Sequence, residues 1–317
     1  MTNLNDVARN AHVSKMTVSR VINHPERVSD ELKELVEKAI QDVGYEPNRM
    51  AKALVNKRHY VIRFLLLEDV TTVEPNYAKL LIHIANYLQE SGYTLEISTD
   101  LAASTNNIDG MIVSGWRQAD LEGLLLVTVP IILYGVAPEN SRLSYVDVHN
   151  KQGIEMATQY MIDRGYQDIW YIGIAIDLPF AKQRALGYRS VMNKYGMSQK
   201  VFATENHAHS ADILMTNMVT SIQSNTGFVC ATDRIALGVV RSLTRIYEVP
   251  TDFGVIGFDG VFIDQISSPQ LTTIRQPLAL IAKNLVKEIV NRVESDEENT
   301  KIEVNITPEL IIRDSTQ

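Results

Sequence analysis

One cysteine, two tryptophans and no long apolar run are what this chain does without. The single thiol, Cys230, can neither close an internal disulfide nor build a cysteine-rich zinc site. No stretch of about 18 uncharged apolar residues is present, so nothing reads as a membrane span. The first residues are polar and enter a helical pattern at once. That excludes a secretory signal and makes the cytoplasm the expected compartment. Signatures of chemistry are missing too. No GxGxxG links a strand to a helix, and there is no Walker loop, HExxH or GxSxG. HAHS at 207–210 places two histidines two apart without a third metal ligand nearby. The sequence therefore predicts no enzyme, no cofactor and no metal. A solute-binding transport protein would need an export signal.

Positive charge is also scarce, with 30 Lys+Arg against 38 Asp+Glu and a net charge of −8 over 317 residues. It is spread unevenly. Residues 1–60 hold ten cations and eight anions, whereas the rest holds 20 and 30. The acidic body is therefore no nucleic-acid face, and any such face belongs to the small N-terminal piece. There Arg9, Lys15, Arg20, Arg49, Lys52, Lys57 and Arg58 flank the candidate reading elements. The length predicts two or three domains.

What is present starts with residues 4–23, LNDVARNAHVSKMTVSRVIN. Apolar residues fall at Leu4, Val7, Ala8 and Ala11, then at Val13, Val18, Val21 and Ile22, which is helical spacing on each side of a break. Ser14 is placed to cap the second helix, and Asp6 brings negative charge to the start of the first. The second helix turns Lys15, Met16, Thr17, Ser19, Arg20 and Asn23 outward. Cations suit phosphates and guanine edges, and amides and hydroxyls suit other base edges. An ordinary helical hairpin has the same pattern. A third helix follows a capped start at Ser29, with Leu32, Leu35, Val36, Ala39, Ile40 and Val43 on one face and Gly44 at its end. Its outer face is mostly acidic, so it reads as a packing support. NRMAKALVNKR at 48–58 fits either a short amphipathic helix, marginal by itself, or a plain linker.

From Val61 strand-like runs alternate with amphipathic helices, and after HNKQGIEMATQYMIDRGY the alternation begins again with DIWYIGI. That is the pattern of βαβ units and parallel sheets. Two such sheets imply two lobes with a cleft at the carboxyl ends of their strands. Gly92-Tyr93, Gly165-Tyr166 and Gly196-Met197 each close a helix. The acidic run ESDEEN at 294–299 reads as an exposed turn.

These residues resemble the LacI/GalR family of bacterial transcription repressors over nearly the whole chain. The match lies in LNDVARNAHVSKMTVSRVIN with VSDELKELVEKAIQDVGYEPNRMAKAL, and in FVCATDRIALGVVRSL, VPTDFGVIGFDG, SPQLTTIRQP and PELIIRDST. The resemblance implies a small all-α helix–turn–helix headpiece at 1–46, a hinge helix and linker at 47–60, and an α/β two-lobed sensor of the periplasmic-binding-protein type at 61–317. It places lobe 1 at about 61–155 and 277–303 and lobe 2 at about 156–276 and 304–317. It implies a homodimer on a near-palindromic double-stranded operator, with the second helix in the major groove and a leucine, here Leu54, wedged into the minor groove. The implied DNA contacts are Thr2, Asn5, Ser14, Lys15, Met16, Thr17, Ser19, Arg20, Asn23 and His24, with Asn48, Arg49, Ala51 and Leu54 in the hinge. The function implied is repression of a carbohydrate operon, relieved allosterically by a sugar or sugar phosphate. Some family members instead answer to a purine-like co-repressor or a phosphorylated carrier protein. A sugar-binding protein without a regulatory role is the remaining alternative. No heptad tail follows Arg313-Asp314, which favours a dimer over a tetramer.

Arg184 and Asp259 match the family's ligand-binding arginine and aspartate. Thr232 and Asp233 match a polar pair at a strand end, although Asp233 equally suits a helix cap. Asp69, Ser114 and Trp116 follow strands of the first lobe and are expected at the same cleft, with Trp116 also suiting an interface. Three departures stand out. His12 occupies the turn position where the family usually has glycine. His149 stands where an aspartate is common, and fits either a ligand contact or a plain loop. DLAASTNN at 100–107 replaces a longer helical segment.

Overall fold

The computed structural model describes residues 2–23, 27–45, 58–68, 75–138, 141–261, 263–295 and 300–317. Two compact units divide at Tyr60 and Val61. The first holds α1 (Leu4–Asn10), α2 (Lys15–Asn23) and α3 (Asp30–Val43). Their apolar faces meet in a core of Val7, Ala8, Ala11, Val18, Val21, Val36, Ala39 and Tyr45. Asn3 caps α1 in a reciprocal capping box with Asp6. The Ser14 hydroxyl accepts from the Thr17 backbone amide at 3.0 Å and caps α2. Ser29 occupies the N-cap position of α3, yet its side chain makes no capping hydrogen bond. Gly44 ends α3 in the left-handed conformation. His12 also has positive φ, +52°. A non-glycine residue there carries strain of about 1–2 kcal/mol, which the glycine usual at this turn would avoid.

The second unit holds two six-stranded sheets of identical order. The first uses β1 (Val61–Leu66), β2 (Thr94–Ser98), β3 (Gly110–Ser114), β4 (Ile131–Tyr134), β5 (Ser144–Val148) and β11 (Glu303–Ile306), ordered β2-β1-β3-β4-β5-β11. The second uses β6 (Asp168–Ile174), β7 (Lys200–Thr204), β8 (Thr226–Cys230), β9 (Phe253–Asp259), β10 (Thr272–Arg275) and β12 (Glu309–Ile311), ordered β7-β6-β8-β9-β10-β12. All neighbours pair in parallel except β10 and β12, which run antiparallel. Helices α4 (Pro75–Glu90), α5 (Leu121–Leu126) and α11 (Leu278–Glu294) belong to the first lobe, and α6 (Asn150–Asp163), α7 (Pro179–Lys194), α8 (Ala208–Thr216), α9 (Asp233–Leu243) and α10 (Ile263–Ile266) to the second. Strands β1, β3, β8 and β9 are buried almost end to end, as expected where helices cover both faces.

The lobe boundaries drawn from the sequence need correction at two places. The division at 155/156 cuts α6, which packs entirely on second-lobe elements, so the crossing lies between Val148 and Asn150. The division at 303/304 splits β11, which pairs with β5 in the first sheet, so that crossing lies between Ile306 and Glu309. A third crossing joins Arg275 to Leu278. The shortened segment after β2 forms turns rather than a helix. Arg63, buried in β1, holds it down by donating to the carbonyls of Ala103 at 3.2 Å and Ser104 at 2.9 Å, while pairing with Glu96 at 2.5 Å. A charged side chain in an otherwise apolar strand thus anchors the turns that follow β2.

Candidate functional site

The outer face of α2 is the first candidate. Lys15, Met16 and Arg20 are exposed, Met16 to 74%, with no acidic residue in the first turn. Thr17 is half-buried and its hydroxyl lies 2.8 Å from that of Ser14, so this pair shapes the helix start. Ser19 is also half-buried. Asn5 is exposed, and Thr2 ties the N-terminal segment down by donating to the Gly44 carbonyl at 3.1 Å. Asn23 closes α2. Its side chain, together with His24, Asn48, Arg49, Ala51, Leu54 and Asp69, lies outside the described residues.

The second candidate is a cavity of about 450 Å³ between the two lobes, at the carboxyl ends of both sets of strands. Arg184 reaches it from α7. It is 4% exposed, with its guanidinium 3.6 Å above the Phe258 ring and 5.0 Å from the Phe180 ring. Its Nε donates to Asn150 Oδ1 at 2.8 Å and its Nη1 to the Ala231 carbonyl at 2.6 Å. Asp259 lies 3.7 Å from the same Nη1. Asp259 ends β9 with φ +124°, a strained conformation held by Gln276, whose backbone amide donates to the Asp259 carbonyl and whose Nε2 donates to Oδ1 at 2.8 Å. Burial raises the Asp259 carboxyl, while Arg184, Gln276 and a hydrogen bond from Asn76 pull it down. Asn76 belongs to α4, so the two lobes come close at this point. Tyr134 adds a second link, its hydroxyl donating to Gln276 Oε1 at 3.4 Å.

The first-lobe wall contains Ser114 and Trp116. Ser114 Oγ lies 2.7 Å from the Tyr77 hydroxyl, which also donates to Glu68. The Trp116 indole donates to the Val136 carbonyl at 3.1 Å and presents its ring to the cavity. Burial raises the Glu68 carboxyl, offset in part by Tyr77. Asp147 accepts from the Val148 amide at 2.7 Å and from Asn150 Nδ2 at 2.9 Å, but burial still pushes its carboxyl up to about 7.

Two expected cleft residues lie elsewhere. His149 does not line the cavity, because its Nδ1 accepts from the Gln152 amide at 3.4 Å and so caps α6. Asp147, two residues earlier, faces the cavity instead. Asp233 is fully buried, accepting from the Gly260 amide at 2.9 Å and from the Thr273 hydroxyl at 2.6 Å. Burial and the neighbouring Asp259 raise its carboxyl well above the usual range. Thr232, which does line the cavity, is the N-cap of α9. Sequence reading missed Glu68, Asn76, Tyr77, Tyr134, Asp147, Asn150 and Gln276. The usable signal was polarity at strand ends, as in the aspartate of SYVDV and the glutamine after TTIR.

The Asp147 carboxyl gives a pH prediction. Its folded-state value lies above the ordinary 3.8, so the folded chain holds this proton from about pH 4 to 7. The associated stability is complete below about pH 4 and is lost as pH rises through about 7, by up to about 4 kcal/mol. Asp147→Asn is expected to flatten the fall in Tm between pH 5 and 8. A fall as steep as the parent's would remove Asp147 as its source.

Among the described residues, no group of three or more His, Cys, Asp or Glu side chains is arranged to hold a metal, and no helix is long and apolar enough to cross a membrane. Residues 3–48 match the family described as bacterial regulatory proteins, lacI family, and residues 158–316 match the periplasmic binding protein-like domain. An uncharacterized HTH-type transcriptional regulator of Bacillus subtilis (strain 168), YvdE, is 39% identical over 318 residues, covering all of both chains. The HTH-type transcriptional repressor PurR of Pasteurella multocida (strain Pm70) is 29% identical, covering 100% of this chain and 99% of that one. Among solved structures, a complex of the transcriptional regulator CelR with cellobiose superposes with TM-score 0.74 at 25% identity, covering 99% of this chain and 100% of that one. The lac repressor dimer bound to operator and the anti-inducer ONPF gives 0.75 at 21% identity, covering 99% of each chain.

Proposed function

The chain belongs to the LacI family of bacterial regulatory proteins and is a DNA-binding transcription regulator, not an enzyme; from that premise we propose that it represses a carbohydrate-utilisation operon and is released by a sugar or sugar phosphate in the inter-lobe cavity. One observation carries the reading: Arg184, Asp259 and Gln276 converge in a cavity walled by Trp116, Tyr77, Tyr134 and Phe180. Aromatic faces pack against sugar rings, and a few fixed polar groups orient hydroxyls. The sugar-bound CelR structure supports that choice. The lac repressor dimer supports a homodimer on a two-fold operator, with Lys15, Met16 and Arg20 of each α2 in the major groove and Leu54 as the minor-groove wedge. The DNA-contacting residues and the unit boundaries are part of the same proposal.

Control follows from linkage. The ligand touches both lobes, through Ser114 and Trp116 on one side and Arg184 and Asp259 on the other. It therefore favours whichever lobe arrangement closes both sets of contacts, and operator affinity shifts by the difference in its affinity for the two arrangements. The test is a gel shift on palindromic sites from neighbouring intergenic DNA, with and without candidate sugars. Arg20→Ala is expected to weaken specific binding about 10- to 100-fold, as loss of about 1–3 kcal/mol at a base or phosphate contact would. A purified protein that prefers no palindromic site over random DNA at moderate salt would refute the repressor assignment.

A further inference from the structure

We infer that the cavity admits an uncharged sugar about two pyranose rings long and turns phosphorylated sugars away. The inference rests on the carbohydrate reading of this same cavity and narrows it. Among the described lining residues Glu68, Asp147, Glu205 and Asp259 are carboxylates, and Arg184 is the only lysine or arginine. Arg184 is already engaged with Asn150, the Ala231 carbonyl and Asp259, and is stacked on Phe258. A phosphate would bring negative charge and acceptor oxygens to walls rich in carboxyl oxygens, where no uncommitted lysine or arginine among the described lining residues can neutralise it.

The walls call for donors instead. Asn76 stands beside Asp259 and lowers its carboxyl, and its Oδ1 is buried without a hydrogen-bond partner. A buried acceptor of this kind is costly until a donor reaches it. A sugar hydroxyl donates and accepts at once, so a ring of hydroxyls can serve Asn76 Oδ1, Glu68 and Asp259 together. Size sets the length. A cavity of about 450 Å³ is larger than one pyranose ring displaces. Trp116 and Phe180 line it from opposite lobes, so aromatic side chains stand at both sides of a bound sugar.

The experiment is calorimetry on the full chain with matched probes: glucose, maltose, cellobiose, trehalose, glucose 6-phosphate, trehalose 6-phosphate, cellobiose 6′-phosphate and glucosamine. At least one neutral disaccharide is expected to bind, with its phosphorylated counterpart at least ~100-fold weaker. Asn76→Ala is expected to weaken that disaccharide about 10-fold, and Glu68→Gln to narrow the gap between neutral and phosphorylated forms. Tightest binding of a phosphorylated sugar, of glucosamine or of glucose would overturn the inference while leaving a carbohydrate sensor standing. Unchanged affinity in Asn76→Ala, with a folded protein by circular dichroism, would overturn the acceptor argument. Silence from every probe would overturn the carbohydrate reading itself.

Discussion

Arg184→Ala is expected to abolish the sugar response and to lower the stability of the sensor by about 3–5 kcal/mol, the scale for removing one partner of a buried charge pair. The guanidinium is the counter-charge for Asp259 and the donor to Asn150 and the Ala231 carbonyl, and it fills the space between Phe180 and Phe258. Alanine would leave a carboxylate, an amide oxygen and a carbonyl facing a void. Arg184→Met separates the causes, because it restores much of the volume but neither the charge nor the donors. The damage should also depend on pH. Without the arginine the Asp259 carboxyl rises further, so the variant is closest to the parent at acid pH, where the carboxyl is protonated, and falls behind as pH rises. Urea denaturation at pH 5 and pH 8, beside calorimetry with the bound sugar, measures both effects. A parent-like sugar affinity would remove Arg184 from the site.

Gly238→Ala provides a test of sign. Alanine in the middle of a helix ordinarily stabilises by about 1 kcal/mol over glycine. Here the opposite is expected, a loss of about 1–3 kcal/mol. A Cβ at Gly238 would lie 2.2 Å from the Ala208 carbonyl oxygen, 2.7 Å from Ala211 Cβ and 2.9 Å from the Asp212 amide nitrogen. Those atoms are backbone or the methyl of a packed helix, so α8 and α9 must separate to admit it. The strand ends that carry Thr232 and Asp259 rest on the same packing, and Gly238→Leu is expected to leave little folded protein. A rise in the denaturation midpoint of Gly238→Ala would show that the two helices do not approach this closely.

The helical headpiece was legible because it is local. Val7, Val18, Val21 and Val36 repeat at helical spacing, and Ser14 and Gly44 mark helix ends by chemistry that acts within a few residues, whereas the Asn3 cap was not read and Ser29 makes no capping bond. The alternating body was legible for the same reason, since strand and helix periods differ. What escaped is non-local. Nothing in VIRFLLLED says that its arginine will clamp a loop some 40 residues on; that depends on β1 lying beside β2. His149 and Asp147 differ in role only because β5 ends between them and the chain turns into α6 to cross lobes, so a shift of two residues exchanges a wall of the cavity for a helix cap. Asp233 was expected at the cleft because it follows a strand, but α9 starts at that point and turns it inward to Gly260 and Thr273. Asn76 has no signature at all, since its importance comes from an aspartate on the other lobe.

The edge position of β11 sets an order in time. The first sheet cannot be completed until residues 303–306 have left the ribosome, although its other strands are finished by Val148. The headpiece, with a core of its own, is complete by Tyr45. At ~5–20 residues per second the intervening stretch takes roughly 13 to 50 s to synthesise. For that interval a nascent chain carries a finished reading head and an unfinished sensor. Premature termination before Gln276 would yield a fragment with the Lys15–Arg20 surface intact and a cavity missing part of its wall.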